Sequence, residues 1–261
     1  DFKPVSSANI AIMECTYCSK ERQCTKETYK KDIEKIKSVI EQYCVDNNAR
    51  VLIPSFSLDR TPYILWILYS LFGKDENFKV PILIDSPLAN RLLDCYSSIL
   101  EENKKELFDQ MMSWKNIQRI IHPEDSKAAI ADKGAKIVLS SSGMLTAGRS
   151  IKWTQSILPR ESDCILFMGY SGEDILAWKI KHGKDNKTIN INGKPFKNKA
   201  QIYDLKSFSS HMQRQNMINY YKSINCEKIY LVHGDSNKIE FKHDLEDAIS
   251  DCLKSTKVIA V

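Results

Sequence analysis

Short apolar runs alternate with stretches of helical periodicity along most of this chain. Thr61-Pro62 and Ser86-Pro87 each place a hydroxyl before a proline directly after such a run, which predicts a helix start. The predicted strands are Arg50–Pro54, a run near Val80, 117–121, 137–140, 164–168 and 201–205. The predicted helices include 29–43, 149–158 and 174–182. Strands that alternate with helices predict an α/β fold.

Two of the five histidines follow elements that should hold them in place. His233 follows the apolar strand Lys228–Val232, and His211 lies in Ser207–His211, a stretch that predicts the opening of a helix. Glu14 ends Ala8–Met13, which reads as a buried strand. Since α/β proteins place sites at one sheet edge, we expect both histidines there, with Glu14 within hydrogen-bonding reach of His211. The two imidazoles either bind metal and move protons or are structural.

Composition fits an ordinary α/β chain without a membrane segment. The 261 residues are 43% hydrophobic and 27% charged, enough for one large core or two modest ones. No run approaches 18 apolar residues, and the first residues have no signal-peptide pattern, so a cytoplasmic location is expected. The eight scattered cysteines indicate reduced thiols. Cys15-x-x-Cys18 with Cys24 could form part of a zinc knuckle, although no second pair follows.

Several segments could bind phosphate. Ser141, Ser142 and Gly143 follow a predicted strand, where hydroxyls and backbone amides suit an anion but also suit a turn cap. Arg60 and Arg149 stand at strand-to-helix junctions and could pair with phosphate or with local carboxylates.

A lysine-rich stretch marks a predicted hairpin near the end of this region. Residues 179–199 contain seven lysines against one acidic residue, Asp185, and Asn192-Gly193 predicts a tight turn between them. Such a run is a solvated hairpin or an electrostatic contact with RNA.

Eight segments of the chain, in order, resemble the β-CASP family of metallo-β-lactamase-fold nucleases, which includes RNase J and the endonuclease of the cleavage and polyadenylation specificity factor. The segments are Asp1–Pro4, Glu14–Tyr17, Ile53–Ser57, Asp85–Ala89, Ser140–Ser150, Gly169–Glu173, Phe208–His211 and Leu231–Asp235. Any one of them would be a weak signal, whereas their common order spans nearly the whole chain.

The resemblance implies two domains and a missing part. Residues 21–204 would form a Rossmann-like β-CASP domain, while 1–20 and 205–261 would belong to the αββα metallo-β-lactamase domain into which it is inserted. The family's His-x-His-x-Asp-His metal motif does not occur in the 261 residues. We therefore expect a fragment that leaves an apolar face uncovered, binds its missing half or a second copy of itself, and is inactive and free of zinc on its own.

The resemblance also implies a two-zinc phosphodiesterase with named site residues. Asp1 would bridge the metals and His233 would ligate one of them. Glu14 and His211 would form an acid dyad, in which the carboxylate orients the imidazole that protonates the leaving oxygen. The implied substrate-binding residues are Arg60, Ser141, Ser142, Gly143, Arg149, Ser209 and Ser210.

The chain departs from the family pattern near these residues. Asp59 stands where the family usually has glycine, so that it could neutralise Arg60. Cys15 and Cys18 replace the usual serine and glycine, and Met212-Gln213 replaces a frequent Ala-Asp.

The expected substrate is RNA, because RNA-cleaving relatives have histidine where His233 stands and DNA-cleaving relatives have an apolar residue there. The intact protein would be an RNA-processing, zinc-dependent ribonuclease. Two alternatives remain open: a DNA-directed β-CASP nuclease, or a non-catalytic RNA-binding or scaffold subunit of a processing complex.

Overall fold

The computed structural model describes residues 4–18, 25–172, 174–183, 187–234, 238–250 and 255–261. Its strands are β1 (Ser7–Glu14), β2 (Arg50–Pro54), β3 (Ile82–Asp85), β4 (Ile117–Arg119), β5 (Lys136–Ser140), β6 (Cys164–Phe167), β7 (Thr188–Ile191), β8 (Lys194–Lys197), β9 (Gln201–Asp204), β10 (Asn225–Val232) and β11 (Lys257–Ala260). Its helices are α1 (Lys26–Ile40), continued by a π-helical segment (Glu41–Asp46), α2 (Arg60–Phe72), α3 (Pro87–Ile99), α4 (Glu102–Met112), α5 (Pro123–Ala131), α6 (Arg149–Ile157), α7 (Leu176–Lys181), α8 (Arg214–Tyr221) and α9 (Lys238–Ser250).

The chain divides into two compact units, with joins after residues 24 and 208. One unit is Thr25–Phe208, and the other combines the two flanking segments. The joins expected from the sequence, after residues 20 and 204, fall slightly earlier in the chain. The assignment of the two units to the two named domains stays a prediction.

The unit Thr25–Phe208 is built on a parallel six-stranded sheet with the order β4-β3-β5-β2-β6-β9. Every residue of β2, β3, β5 and β6 is buried, because helices cover both faces of the sheet. Val51 and Ile53 belong to the core on one face and Leu52 to the core on the other. The predicted α/β fold is therefore confirmed.

A helix begins at each of the two predicted places, but only one of the two predicted caps is present. Ser86 caps α3, since its hydroxyl accepts a hydrogen bond from the Ala89 amide at 3.2 Å. Thr61 does not cap α2, which begins one residue earlier, at Arg60. The Thr61 hydroxyl instead donates to the Phe56 carbonyl at 2.8 Å, a partner that lies before the helix.

The antiparallel pair β7–β8 is the hairpin predicted from Asn192-Gly193. Both turn residues have positive φ, 53° and 79°, as a two-residue turn of this kind requires. Ile189 and Ile191 are buried against the α6 side of the core, which anchors the hairpin to the unit.

The second unit contains a three-stranded parallel sheet with the order β1-β10-β11. Its core includes Met217, Tyr221, Phe241 and Leu245. The prediction that β1 is buried is wrong: β1 is an edge strand, and Ile12 is 70% exposed. Ala11 is the one buried residue of β1, and Ala8 and Met13 pack against this core while partly exposed.

Among the described helices, none combines the length and apolar character needed to cross a bilayer. The six described cysteines are free thiols, and Cys24 and Cys252 lie outside the described residues.

Candidate active site

The register of the three-stranded sheet brings Glu14 and His233 to the same edge. Glu14 pairs with Val232, so that His233 comes one residue after the Glu14 partner. The Cys15 amide donates to the Val232 carbonyl at 2.9 Å, which continues the pairing past the strand end. Parallel strands therefore place both side chains at their carboxyl ends, as the sequence predicts.

A tight turn positions His233. Its φ of 53° lies in the left-handed region, which is uncommon for a side-chain-bearing residue. Gly234 follows, and a Cβ there would lie 2.4 Å from Cys15 Sγ and 2.5 Å from the Cys15 carbonyl oxygen. Only glycine lets the chain pass this close to Cys15.

His211 lies in a loop and not in a helix, which corrects the sequence prediction for Ser207–His211. The helix α8 begins only at Arg214. The Met212 amide donates to Glu14 Oε1 at 3.2 Å, and the His211 amide donates to Ser209 Oγ at 3.4 Å. The Glu14 carboxylate thus organises the loop that carries His211.

Glu14, Thr16 and the two histidines form one hydrogen-bonded cluster. His211 Nδ1 lies 3.4 Å from Glu14 Oε2 and 3.2 Å from Thr16 Oγ1, and His233 Nδ1 lies 2.8 Å from the same hydroxyl. The two imidazole rings stack at 5.2 Å between centroids. The predicted proximity of Glu14 and His211 is present, while their chemical roles stay a prediction.

The contacts of Thr16 fit one tautomer of both rings. Its hydroxyl lies 3.1 Å from the His233 carbonyl oxygen, and a hydroxyl that donates there can accept from both Nδ1 atoms. In this tautomer each neutral ring keeps its proton on Nδ1 and its lone pair on Nε2. Within the described part of the chain, Nε2 of either ring has no hydrogen-bond partner, and it is the atom open to a metal or a substrate.

Thr16 is the functional residue that sequence reasoning missed. It lies in the quoted Glu-Cys-Thr-Tyr segment, two residues beyond a strand-ending carboxylate, and that position is the signal that could have identified it. Its amide also donates to Glu14 Oε2 at 2.8 Å.

Glu14 is ionised at neutral pH. Burial raises the pKa of its carboxyl, but hydrogen bonds from His211 and Thr16 and the charge of His211 outweigh burial and lower the pKa to about 2. An ionised carboxylate at this position can orient an imidazole and stabilise its protonated form.

The cluster also fits part of a metal site. Ligand atoms of Glu14, His211 and His233 lie within 4.8 Å of one another, and two imidazoles with one carboxylate are a known ligand set of catalytic zinc. Both Glu14 oxygens already accept hydrogen bonds, which favours an orienting role for Glu14, and the ligand role of His233 stays a prediction. Asp1, the predicted bridging ligand, lies outside the described residues.

The possible zinc knuckle of Cys15, Cys18 and Cys24 is not tested by the structure, because Cys24 lies outside the described residues. Cys15 Sγ donates to the Val232 carbonyl at 3.2 Å, and burial raises the pKa of its thiol to about 12.

Arg149 forms an ion pair with a local carboxylate, which is one of the two kinds of partner that the sequence left open. Its guanidinium donates to Asp85 Oδ1 at 2.6 Å and to the carbonyls of Ile120 and Ile121 at 3.1 and 2.9 Å. Asp85 is fully buried and also accepts from Trp153 Nε1 at 2.7 Å. Because an unpaired buried carboxylate is costly, this ion pair offsets the cost of burying Asp85, and phosphate binding by Arg149 stays a prediction.

The serine loop forms mainly internal contacts. Ser141 Oγ lies 2.7 Å from Ser57 Oγ and 2.9 Å from Ser86 Oγ. Ser142 Oγ accepts from the Thr146 amide at 2.9 Å, which is the turn-cap alternative raised above. A Cβ on Gly143 would lie 3.2 Å from the Phe56 amide nitrogen, so this glycine allows close packing. Phosphate binding by the loop stays a prediction.

The remaining predicted substrate residues are Arg60, Ser209 and Ser210. The Arg60 guanidinium donates to the Phe208 carbonyl. Its neighbour Asp59 has a φ of 54°, a left-handed conformation that glycine adopts more easily. The Asp59 carboxylate accepts a hydrogen bond from the Tyr96 hydroxyl at 2.5 Å. Ser209 contacts the His211 amide, and Ser210 is exposed.

Comparison with known proteins identifies the family. The family model of the Beta-Casp domain matches residues 61–180, and that of the Zn-dependent metallo-hydrolase RNA specificity domain matches residues 197–250. The chain belongs to the β-CASP family of the metallo-β-lactamase fold. The first match lies within the unit Thr25–Phe208, and the second includes both His211 and His233 of this β-CASP chain.

Three curated relatives of this β-CASP chain align with most of it. Ribonuclease TTHA0252 of Thermus thermophilus is 26% identical over 89% of the chain, and transcription termination factor FttA of Methanocaldococcus jannaschii is 28% identical over 74%. Endoribonuclease YSH1 of Saccharomyces cerevisiae is 27% identical over 90%. The alignments cover 53%, 32% and 30% of these relatives, so the chain spans about half the length of the first and a third of the others.

Proposed function

We propose that this chain is part of a zinc-dependent ribonuclease that hydrolyses phosphodiester bonds during RNA processing. The observation that carries the proposal is the cluster of Glu14, Thr16, His211 and His233 at the carboxyl ends of β1 and β10. The matched family description, which names zinc and RNA, and relatives named ribonuclease and endoribonuclease support it.

Glu14 and His211 can act together as a general acid. The ionised carboxylate holds the Nδ1 proton of His211 at a separation of 3.4 Å and stabilises the imidazolium. Protonated Nε2 then donates its proton to the oxygen that leaves phosphorus, and the neutral imidazole regains a proton from water. Thr16 keeps the ring in the orientation that this transfer requires.

His233 would hold zinc through Nε2, because its Nδ1 is hydrogen-bonded to Thr16. Zinc, when bound, would activate the attacking water and neutralise charge on the phosphoryl oxygens. Asp1 would contribute a further ligand if the predicted role holds. The histidine motif of the family would have to come from sequence other than these 261 residues.

Two variants of the whole protein test the separate roles of the histidines. We expect His211→Ala to lower the rate of RNA cleavage by about 10²- to 10⁴-fold with unchanged zinc content, because a general acid contributes that much. We expect His233→Ala to reduce bound zinc, measured by elemental analysis. The exposed His122→Ala is the matched control and should change neither quantity.

Equal zinc loss in both variants would show that His211 is a ligand and that the proposed dyad is wrong. Matched RNA and DNA oligonucleotides should be compared in the same assay. Preferential cleavage of DNA would exclude the ribonuclease assignment.

A further inference from the structure

A shallow groove in the unit Thr25–Phe208 lies between α5, α6 and the β7–β8 hairpin. It encloses about 670 Å³, and three exposed lysines line it: Lys127 from α5, Lys152 from α6 and Lys194 from the hairpin. None of these residues belongs to the candidate active site, and only Lys194 belongs to the lysine-rich stretch 179–199.

The secondary structure directs the three lysines to one surface. Lys127 and Ile130 are three residues apart on α5, and Lys152 and Gln155 have the same spacing on α6, so each pair shares a helix face. On the hairpin, Lys194 pairs with the buried Ile191 and therefore points to the side that faces α6.

Contacts beneath the groove hold its walls together. Gln155 Nε2 donates to the Ile191 carbonyl at 3.5 Å, which joins the hairpin to α6. Ser156, which also lines the groove, accepts hydrogen bonds from Lys133 Nζ at 2.8 Å and from Arg50 Nη1 at 3.0 Å. These contacts hold the Ser156 end of the groove in place.

The groove is electropositive. None of the residues that line it is acidic. In the described part of the chain, none of the amino groups of Lys127, Lys152 and Lys194 takes part in an ion pair, whereas Lys181 and Lys199 do. Unpaired like charges on one concave surface favour an anion that spans all three.

We infer that this groove binds the phosphodiester backbone of single-stranded RNA without reading its base sequence. The inference rests on the proposed RNA-processing function and adds a second contact surface to it. The lysines would pair with phosphates, while the side-chain amides of Gln155 and Asn192 can donate to phosphate or sugar oxygens. The half-buried ring of Phe196 offers one stacking surface for a base.

An acidic protein segment fits the groove less well. Protein partners are usually held by large apolar anchors in well-packed pockets. Here the only apolar residues of the lining are Ile130 and Phe196, both partly buried against the core of their own unit. An open surface with charged and amide side chains fits a flexible polyanion better.

The test measures binding of a fluorescent single-stranded RNA to the 261-residue chain by anisotropy, with a chelator present and at several salt concentrations. We expect the triple variant Lys127→Ala, Lys152→Ala and Lys194→Ala to bind at least about tenfold more weakly at low salt. The slope of log K against log salt should fall by about 2, since each contact with a single-stranded phosphate contributes about 0.7.

The matched control is the triple variant Lys30→Ala, Lys115→Ala and Lys197→Ala, which removes the same charge from exposed sites outside the groove. Lys197 is especially suitable because it pairs with the exposed Thr188 and lies on the opposite hairpin face from Lys194. The control should keep most of the affinity. Replacing the three groove lysines by arginine should restore binding.

Equal losses in the two triple variants, or no RNA binding by the unaltered chain, would overturn the inference. A polyglutamate peptide that loses more affinity than RNA does in the groove triple variant would also overturn it. The anisotropy test needs no cleavage, because the chelator is present throughout. Loss or retention of RNA binding by the groove variant is therefore independent of the cleavage test of the proposed function.

Discussion

At the scale of single residues, the candidate site depends on a carboxylate and a hydroxyl that each contact several partners. Glu14 accepts hydrogen bonds from the amides of Thr16 and Met212, and its Oε2 faces His211. Thr16 joins the two imidazoles through a single oxygen. The removal of either group should therefore disturb both histidines, although neither Glu14 nor Thr16 would contact zinc in the proposed arrangement.

The depressed pKa of Glu14 predicts how stability depends on pH. Its folded-state pKa of about 2 lies below the ordinary 4.5, so the ionised form stabilises the fold. This contribution is complete above about pH 4.5 and is lost as the pH falls toward 2. We expect Glu14→Gln to be less stable than the unaltered chain at pH 6, with a difference that shrinks toward pH 2.

Urea unfolding at a series of pH values measures this difference. Glu227→Gln, at an exposed position on β10, is the control and should show no such trend. A difference for Glu14→Gln that stays constant with pH would mean that the carboxylate is not held as described.

At the scale of the elements, the turn after β10 decides where His233 lies. The close approach of Gly234 to Cys15 involves a backbone carbonyl as well as a sulfur atom, and that carbonyl accepts a hydrogen bond from the Cys18 amide at 3.0 Å, so it is held in place. The edge position of β1 makes this pairing its only link to the sheet among the described strands.

We expect Gly234→Ala to destabilise the unit that contains it by about 1–3 kcal/mol, the usual cost of inserting a group where there is no room. The displaced turn should also reduce zinc binding by His233 in the whole protein. Thermal unfolding and metal analysis measure the two effects. Gly169→Ala, where a Cβ would meet nothing within 4 Å, should be neutral in both.

At the scale of the whole molecule, the described residues supply too few ligands for two metals. The one group of three potential ligands includes Glu14, whose oxygens are both hydrogen-bonded. A catalytic zinc needs about three protein ligands. We expect the purified 261-residue chain, without a partner, to bind less than one zinc per chain and to leave RNA uncleaved.

Elemental analysis after dialysis and an RNA cleavage assay with added zinc measure these two properties. His233→Ala in the same chain is the comparison, and any residual zinc should fall with it. Two zinc ions per chain together with turnover would contradict the expectation and would require ligands other than those identified.

The sequence by itself determined the local elements and their class. The predicted strand at Arg50–Pro54 is β2, and the hairpin at Asn192-Gly193 is present, because apolar periodicity and turn chemistry depend on neighbours within a few residues. The family resemblance also came from local segments. It could be recognised because eight of them occur in one order.

Only the tertiary structure decided which partners the polar groups take. Arg149 meets Asp85, 64 positions away, and Thr16 meets His211, 195 positions away. The groove collects lysines from three separate elements. Sheet register and helix packing bring such groups together. A polar or charged side chain that is buried is costly unless it is hydrogen-bonded or paired, so its partner is a group that the fold places beside it. For this reason the partner of Arg149 could not be predicted from the sequence, and only the structure shows its ion pair with Asp85.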